Sequence, residues 1–340
     1  MKRKIALLLA AVMLGTIPCA LAAEEPPEEG QVTPYRIEEQ AEITDVQTSL
    51  HEGDITLVTA ITVKTDTYDA LTLRLKESTV LADAADGSLR AMTDVAAPDQ
   101  LLQEGDTILV TYGTALQQSE PPQTDAELVV VHPGEGTTPH LLDAEVVYRD
   151  LTARFLANNG SLLVSVDRKT PVYTLYGDEE TNARIRMGTR LVAWYDIVLT
   201  SYPGQTAPEK VVLLPDQDRS FTIITGGDIA IAEGRIENGV AMVPVRKVAE
   251  ELGYTVTWNN EDESVLLELG DAEMTIQLSE DKYCFGNARE GLSFGAASYE
   301  VDGISWVPAE VFTLLGHEQQ ALTGSVMHLR GSVLLCVPCA

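Results

Sequence analysis

A block that begins at Ser119 returns, with substitutions, at Ser201. Ser119-Glu120-Pro121-Pro122-Gln123-Thr124-Asp125-Ala126-Glu127-Leu128-Val129-Val130 stands against Ser201-Tyr202-Pro203-Gly204-Gln205-Thr206-Ala207-Pro208-Glu209-Lys210-Val211-Val212. The Ser, Pro, Gln, Thr, Glu and both Val fall in register. Upstream, the run Gly105 to Tyr112 answers to Gly188 to Tyr195, and Thr79-Val80 to Thr170-Pro171-Val172. An internal repeat of about 80–90 residues exceeds the length of solenoid repeats and reads as a duplicated β-unit.

The pattern from residue 37 to 215 is that of strands. Leu71, Leu73 and Leu75 alternate with Thr72 and Arg74, which buries one face and wets the other. Ile108-Leu109-Val110 and Leu128-Val129-Val130-Val131 are short apolar runs suited to buried strands. In each copy a Gly opens a turn, a strand follows, a Tyr closes it, and a Ser-x-Pro-x-Gln-Thr loop precedes the last strand. The expected architecture is two tandem small β-barrel-like (OB-like) repeats, at 37–132 and 140–215. The repeated loop is expected to serve the turn: Pro sets it, and Ser and Thr hydroxyls satisfy local backbone groups.

The N-terminus predicts export. Met1-Lys2-Arg3-Lys4 is a basic head, Ile5 to Ile17 is apolar, and Ala20-Leu21-Ala22 offers small residues before Ala23. That is a signal peptide over 1–22, its apolar run being short for a membrane span of about twenty residues. Pro18 before Cys19 argues against a lipoprotein site. Residues 23–36 are acidic and Pro-rich, which predicts an extended leader. The net charge is −29, which repels phosphate backbones, so no nucleic-acid partner is expected. The cations of the second copy, Arg149, Arg154, Arg168, Lys169, Arg184, Arg186 and Arg190, lack interleaved aromatics for base stacking.

Residues 222–340 read differently. A strand-like Ile223–Ile231 precedes Val240–Val243, with Glu237-Asn238-Gly239 as the hairpin turn. Pro244 is expected at the first position of a short helix whose apolar stripe is Val245, Val248, Ala249 and Leu252, stopped by Gly253. Tyr254, Val256 and Trp258 alternate as the next strand. A shorter echo follows in Trp306-Val307-Pro308 and Leu315-Gly316. The set Gly239, Val243, Pro244, Arg246, Ala249, Glu250, Leu252, Gly253, Val256 and Trp258 resembles the copper amine oxidase N-terminal-like, or stalk, domain over about 225–335. The second half departs from that pattern at Ala309 and Glu310. The resemblance implies a small α+β module of sheet and short helices, common on secreted proteins of Gram-positive bacteria, often beside wall-associated domains. It implies no oxidase chemistry. Arg246 is expected to hold the helix start or a neighbouring carboxylate.

No catalytic set emerges. His51, His132, His140, His317 and His328 are scattered, and no metal or cofactor is expected. Cys336-Val337-Pro338-Cys339 is a Cys-x-x-Cys pair, but it follows a strand-like run and no helix remains after it to lower a thiol pKa. With Cys284 it leaves an odd number of cysteines after the signal peptide, so a disulfide from Cys284 to Cys336 or Cys339 is one expectation. The expected function is that of an exported, non-catalytic binding or scaffolding protein. Its partner is a cell-wall polymer or a surface protein, with no membrane span in the mature chain. The alternatives are an exported enzyme or thiol-redox accessory, and a soluble carrier of a small ligand.

Overall fold

The computed structural model describes residues 36–51, 55–95, 97–149, 153–215, 219–225, 229–286, 291–315, 319–323 and 326–329. The expected signal peptide, leader positions 23–35, Gly316, Cys336 and Cys339 lie outside the described residues. The fold is mainly β with few short helices, as the alternating patterns predict.

The first unit contains β1 (Arg36–His51), β2 (Ile55–Thr65), β3 (Leu71–Arg74), β4 (Val80–Asp83), β5 (Leu89–Ala91), α1 (Pro98–Leu101), β6 (Thr107–Gly113) and β7 (Gln123–Val131). β1 pairs antiparallel with β2 and β6, β6 with β7, and β7 returns parallel to β3. This circuit is a five-stranded barrel. Register shifts after Ile43 and Gln47 interrupt the β1–β2 ladder; such bulges bend and twist a strand, letting β1 serve two neighbours. Ile43, Ile61, Leu73, Ile108 and Val110 fill the interior.

The second unit contains β8 (Pro139–Asp143), β9 (Val146–Arg149), β10 (Ala153–Ala157), β11 (Leu162–Val166), β12 (Val172–Thr174), β13 (Glu179–Glu180), β14 (Arg190–Trp194), β15 (Gly204–Thr206) and β16 (Lys210–Leu213). Its strands pair in the order of the first unit, but β8 and β9 stand where β1 runs on, and β15 and β16 where β7 does. The pairings fall into a four-stranded and a five-stranded sheet. Phe155, Val164, Leu191 and Val211 fill its core.

The two repeated loops share the hydrogen bonds that shape the turn. Gln117 and Leu199 bridge Gln123 and Gln205. The Ser119 and Ser201 hydroxyls each donate to a carbonyl two residues on, at Pro121 and Pro203, over 2.7 Å. Thr124 donates to the Ala115 carbonyl at 3.2 Å and Thr206 to the Ile197 carbonyl at 2.8 Å. Glu120–Pro121 and Tyr202–Pro203 are both cis. Gly105 and Gly188 have φ of 90° and 88°, the left-handed region that glycine enters without steric cost.

The two units share a core. Val80, Ala82, Leu128 and Val130 of the first pack against Leu141, Val192, Trp194 and Val212 of the second. This second buried face explains why Leu128 to Val131 is an unbroken apolar run rather than an alternating one. A partly buried ion cluster borders the seam. Arg36 reaches Glu127 at 2.9 Å and Asp143 at 3.1 Å, and Arg190 also pairs with Glu127. Glu127 sits at the register shift between Thr111/Leu128 and Tyr112/Ala126, the kind of bulge that re-aims a side chain. Lys210 lies 3.9 Å from the centre of the Trp194 ring and donates to the Gly87 carbonyl across the seam at 2.5 Å.

The third unit contains β17 (Arg219–Thr225), β18 (Ile229–Glu237), β19 (Val240–Pro244), α2 (Val245–Glu251), β20 (Thr255–Asn259), β21 (Ser264–Leu269), β22 (Ala272–Gln277), β23 (Tyr283–Phe285), β24 (Tyr299–Val301), β25 (Ile304–Pro308), α3 (Glu310–Leu314), β26 (Gln319–Thr323) and β27 (Val326–Leu329). A seven-stranded sheet runs β24-β25-β19-β18-β17-β27-β26, and a four-stranded one β20-β21-β22-β23. Val243, Val307, Val265, Leu267, Val248 and Phe312 meet in one core, which Met187 of the second unit joins. Two expectations are corrected. Ile223–Ile231 is not one strand: β17 and β18 pair antiparallel, with Thr225 opposite Ile229. Pro244 and Pro308 do not open helices: each is the last residue of a paired strand, opposite Trp306 and Met242 respectively. Pro244 has a ψ of 103°, extended backbone, and caps α2 from outside.

Candidate functional site

The groove of the third unit is built by α2. Val245, Val248 and Ala249 face the core, which leaves Arg246, Lys247 and Glu250 on the solvent side of the helix. Gly253, at φ 90°, ends it. The Tyr254 N–H bonds the Ala249 carbonyl at 2.9 Å and the Gly253 N–H the Glu250 carbonyl at 3.0 Å. That is a Schellman cap, and it turns the chain directly into β20. Val256 and Trp258 of β20 then form one wall. The Trp258 indole N–H is held by Asn260 at 2.6 Å. Arg246 donates to Glu250 at 3.2 Å and to the Val256 carbonyl at 3.4 Å, tying helix to strand.

The opposite wall arrives from the β24–β25 hairpin, with Glu300, Gly303, Ile304 and Ser305. The walls enclose about 610 Å³, a size ordinary for a ligand cleft. Its chemistry is an apolar floor with an indole, two cations and two carboxylates at the rim. Such a surface can hold an extended chain with apolar and polar faces.

Of the expected motif residues, Pro244, Arg246, Glu250, Val256 and Trp258 meet in this groove. Val243 is buried beneath it, Leu252 packs on the core and Gly253 caps the helix. Gly239, at φ 72°, and Asn238, at φ 49°, make the β18–β19 turn. Trp306 lies elsewhere, among Val240 and Met242, with the Arg235 guanidinium 3.7 Å from its ring centre. Pro308 pairs with Met242, so the two half-motifs are antiparallel neighbours centred on Val243 and Val307. Lys247, Glu300 and Ile304 were not expected at a site. Lys247 lies between motif positions, and Glu300 and Ile304 flank the Asp302-Gly303 turn of the facing hairpin.

Cys284 lies on β23 opposite Thr275, partly exposed. His132 contacts Asp83, and His140 contacts Glu38 and stacks on Tyr195, so these two do not converge. Among the described residues no group of three or more His, Cys, Asp or Glu is placed to hold a metal ion. Nor is any described helix long and apolar enough to cross a membrane.

Residues 224–318 match the family model of the copper amine oxidase N-terminal domain. The match supports a copper amine oxidase N-terminal-like domain there. It begins within β17 and takes in α2, both walls of the groove and the two half-motifs. A search of curated proteins found no match. The copper amine oxidase N-terminal domain is a non-catalytic, stalk-type module, which is compatible with a binding role.

Proposed function

We propose that this chain is an exported, non-catalytic binding protein of the cell surface or cell wall. The groove of the copper amine oxidase N-terminal-like domain is its contact site. The observation that carries the reading is the gathering of Pro244, Arg246, Glu250 and Trp258 in one cleft of about 610 Å³. The basic, apolar N-terminal segment and Ala20-Leu21-Ala22 support export. The net charge of −29 favours solubility outside the cell and disfavours anionic polymers. In the same reading, the first two units are copies of one OB-like barrel that serve as a rigid spacer. Their matching loop hydrogen bonds support this.

Co-sedimentation with purified Gram-positive cell walls tests the proposal. The protein is expected in the pellet, and Lys247→Glu, a change on the exposed side of α2, is expected to move it to the supernatant without lowering Tm. Recovery of the unaltered protein solely as free material in the medium and supernatant would overturn wall binding.

A further inference from the structure

The repeated loops share a backbone but not a surface. In the first unit the loop is charged. Gln117 accepts from Arg74 at 3.2 Å, and Asp125 binds Arg74 at 2.7 Å and Lys76 at 2.5 Å. Glu120 precedes the proline. In the second unit Leu199 takes the bridge position of Gln117, Tyr202 precedes the proline, and Ala207 stands two residues past Gln205 as Asp125 stands past Gln123. No charged residue occurs from Ile197 through Pro208. Ile197 is 75% exposed, Leu199 59% and Tyr202 81%. The exposure is imposed by the backbone: Leu199 N–H bonds the Gln205 carbonyl at 2.8 Å and Thr206 holds the Ile197 carbonyl.

We propose that the tip Ile197–Tyr202 is a lipid-contact loop that enters the interface of an electrically neutral bilayer. The apolar residues number four, Val198 included, a patch of a few hundred Å² at most. A stable protein interface needs about 800 Å² on each side, so a second copy is too demanding an occupant. Sugar rings stack on aromatic faces, and three of the four side chains are aliphatic. A bilayer needs no complementary partner surface and no rings: aliphatic side chains enter the acyl boundary while a tyrosine sits at headgroup level. The charge of −29 repels anionic headgroups, which selects zwitterionic ones. This site is independent of the groove.

The test is co-sedimentation of the chain lacking residues 1–22 with phosphatidylcholine vesicles. The protein is expected to pellet with the vesicles. The double variant Ile197→Ser, Leu199→Ser is expected to lower partitioning at least about tenfold with Tm unchanged. Ala115→Ile with Gln117→Leu and Glu120→Tyr, which places the same three side chains on the first unit's loop, is expected to raise it. No pelleting, pelleting that the serine variant retains, stronger binding to vesicles rich in phosphatidylglycerol, or pelleting without vesicles would each overturn the proposal.

Discussion

Gly234 lies beneath the Phe221 ring, directly opposite it in the β17–β18 ladder. A Cβ at that position falls 2.3 Å from two ring carbons. Gly234→Ala is therefore expected to destabilise the protein by about 1–3 kcal/mol through overpacking. Phe221→Leu in the same chain should recover part of the lost Tm; thermal melts of the three variants decide. Glu145 offers a second residue-scale prediction. It is fully buried and accepts the N–H groups of Asn159 and Gly160 at 2.8 Å each. Burial outweighs those bonds and raises its pKa from 4.5 to about 7. The folded state thus favours the protonated acid. Its contribution is complete below pH 4.5 and is lost as pH rises to about 7, a difference of roughly 3 kcal/mol. The stability of the unaltered protein relative to Glu145→Gln should fall across that window and level off above it. Denaturant titrations at several pH values read this, and a constant gap would refute it.

Among elements, the repeated loop was legible because its residues act locally: Ser, Pro and Thr bond within a few positions, so the turn chemistry stands in the sequence. The Schellman cap at Gly253 was legible for the same reason. The helix entry was not, because Pro244 and Pro308 suit a first helical turn and an edge of a strand equally, and only the β19–β25 pairing decides. The break between β17 and β18 stands in the sequence as Gly226-Gly227-Asp228, a breaker cluster set between the apolar residues of Ile223–Ile231. In the groove, Arg246, Glu250 and Trp258 could be seen as a motif, but Glu300 and Ile304 come from a hairpin distant in sequence. The ion cluster was invisible too, since Arg36, Glu127, Asp143 and Arg190 come from four strands. Its removal should be costly. Arg190→Met leaves Glu127 and Asp143 to share the Arg36 guanidinium, at an expected cost of about 1–3 kcal/mol by urea unfolding. A loss below 1 kcal/mol would place the cluster among weak surface pairs.

On the scale of the molecule, the three units are joined by shared cores rather than strung as separate beads. Met187 belongs to the core of the third unit, and the seam buries Trp194 and Leu141. Calorimetry of the whole chain is expected to show one transition. A fragment spanning 137–215 should expose Leu141, Val192, Trp194 and Val212, bind a hydrophobic dye and aggregate. Independent, reversible melting of that fragment without dye binding would contradict a shared core. Seven residues, His132 to Thr138, separate β7 from β8. Two units held by such a short tether meet at a local concentration that no change of volume alters. The two halves therefore stay together at any dilution, where two unlinked chains would drift apart.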